Sequence, residues 1–188
     1  MSNAGIRSLR LSVGVCVAVL LAGPAAAQNT DQQFTGSWIH YLNVSGTPSG
    51  PLLPALVTIQ SDGTMIISSG LMFGSPSMPA APVRYSPLHF VWEKAGPKTI
   101  AGTGLFFVFD PDGKMHSYQR NRIVIKLGDD RDTYTGMIFL DELHCPNGVF
   151  SCPYPQDPSA TWTPNPNMPA EGYLVTGKRL KVVPYPGS

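Results

Sequence analysis

From Ser86 to Leu127 the chain reads as three apolar runs divided by two turns. Leu88 to Glu93 is stopped by Ala95-Gly96-Pro97, and Thr99 to Phe109 by Asp110-Pro111-Asp112-Gly113; Lys114 to Leu127 follows. Gly admits positive φ, Pro fixes its own φ, and Asp hydrogen-bonds its local backbone, so both interruptions carry turn chemistry. Further strands are predicted over Phe34–Val44, Ala55–Gln60 and Thr64–Ser68, the last two flanking Ser61-Asp62-Gly63, and over Thr133–Leu143 and Tyr173–Val183. No apolar period of a helix is sustained anywhere in the mature chain.

Long strands joined by short turns leave open edges unless the sheet closes on itself. The expectation is an all-β fold, an antiparallel up-and-down β-barrel of about eight or nine strands. Two irregular stretches interrupt it. Residues 70–87 hold four prolines and residues 144–172 hold seven, which excludes central strands there. The first is read as a long loop whose Leu71, Met72, Phe73 and Met78 cover an apolar opening.

Period two decides the faces. Met115, Ser117, Gln119 and Asn121 share one face with Ile123, Ile125 and Leu127; His116, Tyr118, Arg120 and Arg122 share the other. Either the His, Tyr and Arg groups enter the lumen and suit an anionic or oxygen-rich ligand, or they face water while Gln119 and Asn121 line the lumen. Continuity with the isoleucines favours the second assignment. In Thr133–Leu143, Tyr134, Ile138 and Leu140 oppose Met137, Phe139 and Asp141. Leu105–Phe109 is apolar on both faces, which calls for a covered, packed wall or an apolar ligand inside.

Composition changes the picture at the front of the chain. Arg7 and Arg10, the apolar Leu11–Leu21 and Ala25-Ala26-Ala27 make residues 1–27 a signal peptide, cut after about Ala27. The remainder, 28–188, is expected to be a single barrel domain, periplasmic or secreted, with a Pro-rich insertion at about 144–172. Its eleven basic and twelve acidic residues give formally −1. Without a basic stripe, nucleic acid is not a partner. The leader's apolar run is too short to span a bilayer, so no stable membrane insertion is expected after its removal. No feature specifies an oligomeric state. Cys145 and Cys152, in Cys-x6-Cys spacing within an exported chain, read as a disulfide rather than a metal site.

Chemistry-bearing patterns are sparse. Ser86, His89 and Trp92 do not form a nucleophile pair, because His89 alternates away from the other two. Asp141 and Glu142 face opposite ways and make a poor carboxylate dyad, whereas Glu142 and His144 share a face beside the disulfide. No phosphate loop, His-x-x-x-His or nucleophile elbow occurs, so no cofactor and no metal are expected.

Thr35-Gly36-Ser37-Trp38 opens the first strand with Gly-x-Trp, and Gly177-Lys178-Arg179-Leu180 lies on the last. This pairing resembles the lipocalin and wider calycin barrels. The order Gly-x-Trp, Pro-Ala-Leu-Val-Thr-Ile, Asp-Gly-Thr, Ser-x-x-His-x-x-Trp, Asp-Pro-Asp-Gly and Thr-Tyr-Thr-Gly is similar to a largely uncharacterised group of small bacterial lipocalin-like proteins. The likeness runs from about Gly36 to Leu143 and resumes at Gly177; the cysteine segment departs from it. The resemblance implies that Trp38 plugs one barrel end under Arg179 by a cation–π contact, a structural role.

The leading expectation is an exported β-barrel that binds a small apolar or aromatic molecule. Its ligand contacts would be Tyr41, Phe73, His89, Trp92, Phe107, Gln119, Asn121 and Tyr134. The alternative is a cofactor-free isomerase, cyclase or lyase resembling allene oxide cyclase or dirigent barrels, with His40, His89, Tyr118 and Arg120 as catalytic candidates. A third reading is an envelope structural or adhesion protein that uses the Pro-rich insertion as its contact surface.

Overall fold

A computed structural model describes residues 32–44, 50–70, 84–166 and 168–183. Its strands are β1 (Gly36–Asn43), β2 (Leu52–Ile59), β3 (Thr64–Ser69), β4 (Arg84–Tyr85), β5 (Leu88–Gly96), β6 (Thr99–Phe109), β7 (Met115–Leu127), β8 (Thr133–His144), β9 (Thr163–Pro164) and β10 (Tyr173–Arg179). Neighbours run in the order β10-β1-β2-β3-β5-β6-β7-β8-β9, and β10 also pairs with β8. That last pairing closes the sheet. Apart from the two-residue β4 and β9, eight strands form the wall, antiparallel throughout. The all-β antiparallel barrel expected from the strand and turn pattern is the fold.

Turn chemistry fixes the lower end, where three tight hairpins lie; a fourth, at Asp110–Lys114, is at the upper end. Asp62 Oδ1 accepts from the Thr64 N–H at 2.9 Å beside Gly63 at φ 87°. Asp130 Oδ1 accepts from the Asp132 and Thr133 N–H groups, both at 3.0 Å. These side chains mimic a backbone turn and hold the register of the strands they join. The ends of β1, β3 and β8 that lead into the longer connections all lie at the upper end.

Several boundaries differ from expectation; β2 begins at Leu52 rather than Ala55, and β5 runs on to Gly96. Arg84–Tyr85, predicted as loop, pairs with β6 in the same lane as β5. Ser86-Pro87 splits that lane because Pro cannot donate to the ladder. Ser86 itself bridges the gap, its Oγ accepting from the Phe107 N–H at 3.0 Å and its N–H donating to the Phe107 carbonyl at 3.0 Å. Phe34 belongs to a helical turn at 32–34 rather than to β1, and the last strand stops at Arg179 instead of Val183. The insertion contributes β9, which pairs with Asp141 and Glu142.

Alternation is cleanest on β7, where every odd residue from Met115 to Leu127 is buried. Trp38, Val57, Ile59, Met65, Trp92, Ile100, Ile125, Leu127, Tyr134 and Val175 join Ile123 in one buried cluster that fills the lower lumen and continues upward through Ile67, Leu88, Phe90, Phe106 and Val108. The insertion docks on the outside of β7 and β8. Asp141, buried there, receives Arg120 at 2.8 Å and Arg122 at 3.1 Å. Arg120 in turn lies 4.4 Å over the Trp162 ring.

Candidate functional site

The lower end is a structural plug. The Arg179 guanidinium sits 4.1 Å over the Trp38 ring. Its nitrogens donate to the carbonyls of Thr35 at 2.7 Å, Gln33 at 2.5 Å and Arg131 at 3.1 Å. Trp38 Nε1 donates to the Phe34 carbonyl at 3.0 Å. Gly36 has φ 133°, and a Cβ there would approach Arg179 Nη1 to 2.9 Å, so the glycine of Gly-x-Trp serves both backbone and packing. An open depression of about 530 Å³ lies outside this plug, lined by Gln32, Gln33, Arg131, Asp132 and Arg179. The Arg179 guanidinium that lines it is already committed to carbonyls and to Trp38.

Above the plug, His40 Nδ1 and the Tyr134 hydroxyl share a hydrogen bond of 2.8 Å. Both face inward. Burial holds the His40 imidazole down to about 4 and pushes the Tyr134 hydroxyl up. The contact exists because Gly177 stands between them in register, opposite His40 on β1 and Tyr134 on β8. A side chain at Gly177 would run into the Tyr134 ring. Gly177→Ala is therefore expected to lower stability by about 1–3 kcal/mol, the range for overpacking, read as a lower denaturation midpoint. An unchanged midpoint would remove Gly177 from this role. The pair is enclosed by packed side chains, so it is a satisfied polar group of the core rather than an accessible acid–base couple.

The upper lumen differs in chemistry. Ser117, Gln119 and Asn121 point inward from β7 and are buried. Phe90 lies across Gly104, the β6 residue opposite Asn121, where a Cβ would meet its ring. Phe106 stands opposite Gln119 and packs edge-on to Tyr85 at 5.2 Å between centroids. Glu142, paired with inward Gln119, stands near the inner mouth; burial, and next its carboxylate, raise the Tyr85 hydroxyl above its ordinary value. Among the described residues, Asn121 Oδ1 is buried with no hydrogen-bond partner. A buried, unpaired acceptor costs about 1–3 kcal/mol and calls for an explanation.

The expected contacts divide accordingly. Trp92, Gln119, Asn121 and Tyr134 are inward, as are His40 and Trp38; Trp92 is low in the lumen, its Nε1 donating to the Thr64 carbonyl at 3.0 Å. His89 and Phe107 are exposed on the outer face, and Tyr41 alternates outward between inward His40 and Leu42. Tyr118 packs outside against Phe107, ring centroids 5.5 Å apart, and Arg120 is taken by Asp141 and Trp162. Three of the four catalytic candidates, His89, Tyr118 and Arg120, thus lie outside the lumen: the face carrying isoleucines wins the interior and turns the alternate residues out. Phe73, with the covering role given to Leu71, Met72 and Met78, falls outside the described residues. The Cys145–Cys152 disulfide is formed.

One grouping was not legible in strand alternation. The β6–β7 register shifts between Val108 and Phe109, leaving His116 unopposed in a bulge. His116 then reaches Glu142 and His144 at the upper rim. The only hint in the sequence was that Glu142 and His144 share a face.

Fold and site together define a closed eight-stranded antiparallel barrel, apolar below and mixed apolar and polar above. Comparison with protein-family models, curated proteins and solved structures finds no match to this chain.

Proposed function

We propose that this protein is an exported barrel that binds a small, largely apolar or aromatic molecule through its upper end. The observation that carries this reading is Asn121 Oδ1, which has no partner among the described residues and is buried beside Gln119 and Ser117 on the inner wall. A ligand hydroxyl or N–H would satisfy it, while Phe90 and Phe106 offer apolar surface worth about 25 cal/mol per Å2 buried. The leader-like residues 1–27 and the disulfide support export. The Gly-x-Trp and closing-strand arginine support kinship with lipocalin-like barrels. An isomerase reading loses most of its constellation, since only His40 of its four candidates is inward and that residue is enclosed.

Native mass spectrometry of protein taken gently from its own host's envelope tests the proposal. A retained lipid-like or aromatic mass is expected. Asn121→Leu should weaken its binding about two- to tenfold, the worth of one neutral hydrogen bond. Protein that is empty under these conditions, and that also leaves the fluorescence of anilinonaphthalene sulfonate unchanged, would exclude this function.

A further inference from the structure

We propose that His116, Glu142 and His144 at the upper rim form a binding site for one divalent transition-metal ion. One donor atom from each lies within 4.8 Å of the other two. His116 Nδ1 stands 3.4 Å from Glu142 Oε1 and 3.3 Å from Ser117 Oγ. The His116 and His144 rings meet edge to face at 4.9 Å between centroids.

The competing explanation is a simple histidine–carboxylate ion pair. Charge-assisted hydrogen bonds of that kind close to about 2.7–2.9 Å, and the separation here is longer. Donor atoms bound at about 2.0–2.2 Å around a tetrahedral ion stand about 3.3 Å apart, which the His116–Glu142 spacing already matches. An ion pair also leaves the third donor, the exposed His144, unexplained, although a nitrogen of its ring lies within 4.8 Å of the other two donors.

The backbone beneath these groups is held in place. Glu142 and His144 are alternate residues of β8, paired with Gln119 and Ser117 of β7. The bulge on β7 re-aims His116, a recognised use of such irregularities. The next residue after His144 donates its N–H to the His116 carbonyl at 3.0 Å, and that residue is Cys145 of the disulfide. Two imidazoles and one carboxylate suit zinc, cobalt, nickel or copper and do not suit calcium or magnesium, which take oxygen ligands. Three protein donors leave a coordination position open to water or to another ligand. The site stands on the rim and does not depend on the lumen being occupied.

The test uses untagged, metal-stripped protein with its disulfide intact. Cobalt(II) titration followed by visible absorption, and zinc(II) titration by calorimetry, should both saturate at one ion per chain. Calcium and magnesium in excess should not displace it. Glu142→Gln and His144→Ala should each weaken binding at least about tenfold, the scale of losses even for groups that only support a ligand. Because the two histidines are exposed and Glu142 is only half-buried, both variants should melt with the wild type when metal-free. Uptake without saturation at one ion, or saturation unchanged in His144→Ala, would overturn the assignment.

Discussion

Trp38→Ala is expected to cost about 3–5 kcal/mol, the range for removing a fully buried large aromatic. Trp38 has no solvent exposure, packs on Tyr134 at 5.1 Å between centroids and lies under Arg179 at 4.1 Å. Its loss opens the lower lumen and leaves the Phe34 carbonyl without its 3.0 Å donor. A domain holds about 5–15 kcal/mol in all, so this one side chain decides whether the barrel stays closed. Arg179 would remain tied to three carbonyls, but over a cavity. Urea unfolding should show a lower midpoint with the slope unchanged, and Trp38→Phe should recover most of the loss. A loss below about 1 kcal/mol would show that the plug is dispensable, contrary to the range for such sites.

The second large effect is pH-dependent. Burial lowers the His40 imidazole from 6.5 to about 4. The folded protein therefore holds His40 neutral where the unfolded chain protonates it. Stability is fully present above pH 6.5 and falls as the pH drops from there towards 4, where the folded form also takes the proton. The loss is on the order of 3 kcal/mol at about 1.36 kcal/mol per pH unit. Four exposed carboxylates act outside this window. The Thr64, Lys98, Thr133 and Ser159 side chains hold Asp62, Asp129, Asp130 and Asp157 below the ordinary 3.8, so their contribution is lost only as pH falls below that value. Melting curves collected across pH 4–7 should show a marked fall in wild type and a flatter profile in His40→Gln. Tyr134→Phe should be less stable at every pH yet keep the acid slope, because the histidine is still enclosed. A wild-type profile as flat as that of His40→Gln would mean that His40 is hydrated in solution.

Local chemistry made most of the barrel legible. Asp62-Gly63 and Asp110-Pro111-Asp112-Gly113 turn the chain wherever they occur, and they bound the strands that were expected. Lys114–Leu127 was read almost to its end, and the continuity of Asn121 with Ile123 and Ile125 pointed to the face that is inside. His89, Phe107 and Tyr41 were misplaced because a residue type suggests a role before its face is known. Arg84–Tyr85 was missed because a two-residue strand has no period; only its place beside β6 makes it one.

What the chain determined unaided was where it turns and which residues alternate together, since both depend on neighbours a few positions away. The tertiary structure alone decided which partners meet. His40 finds Tyr134 across Gly177 only after β10 closes between β1 and β8. His116 reaches Glu142 and His144 only because a one-residue register shift breaks the alternation. Both outcomes rest on long-range pairing, and register between distant strands is set by the closed sheet as a whole.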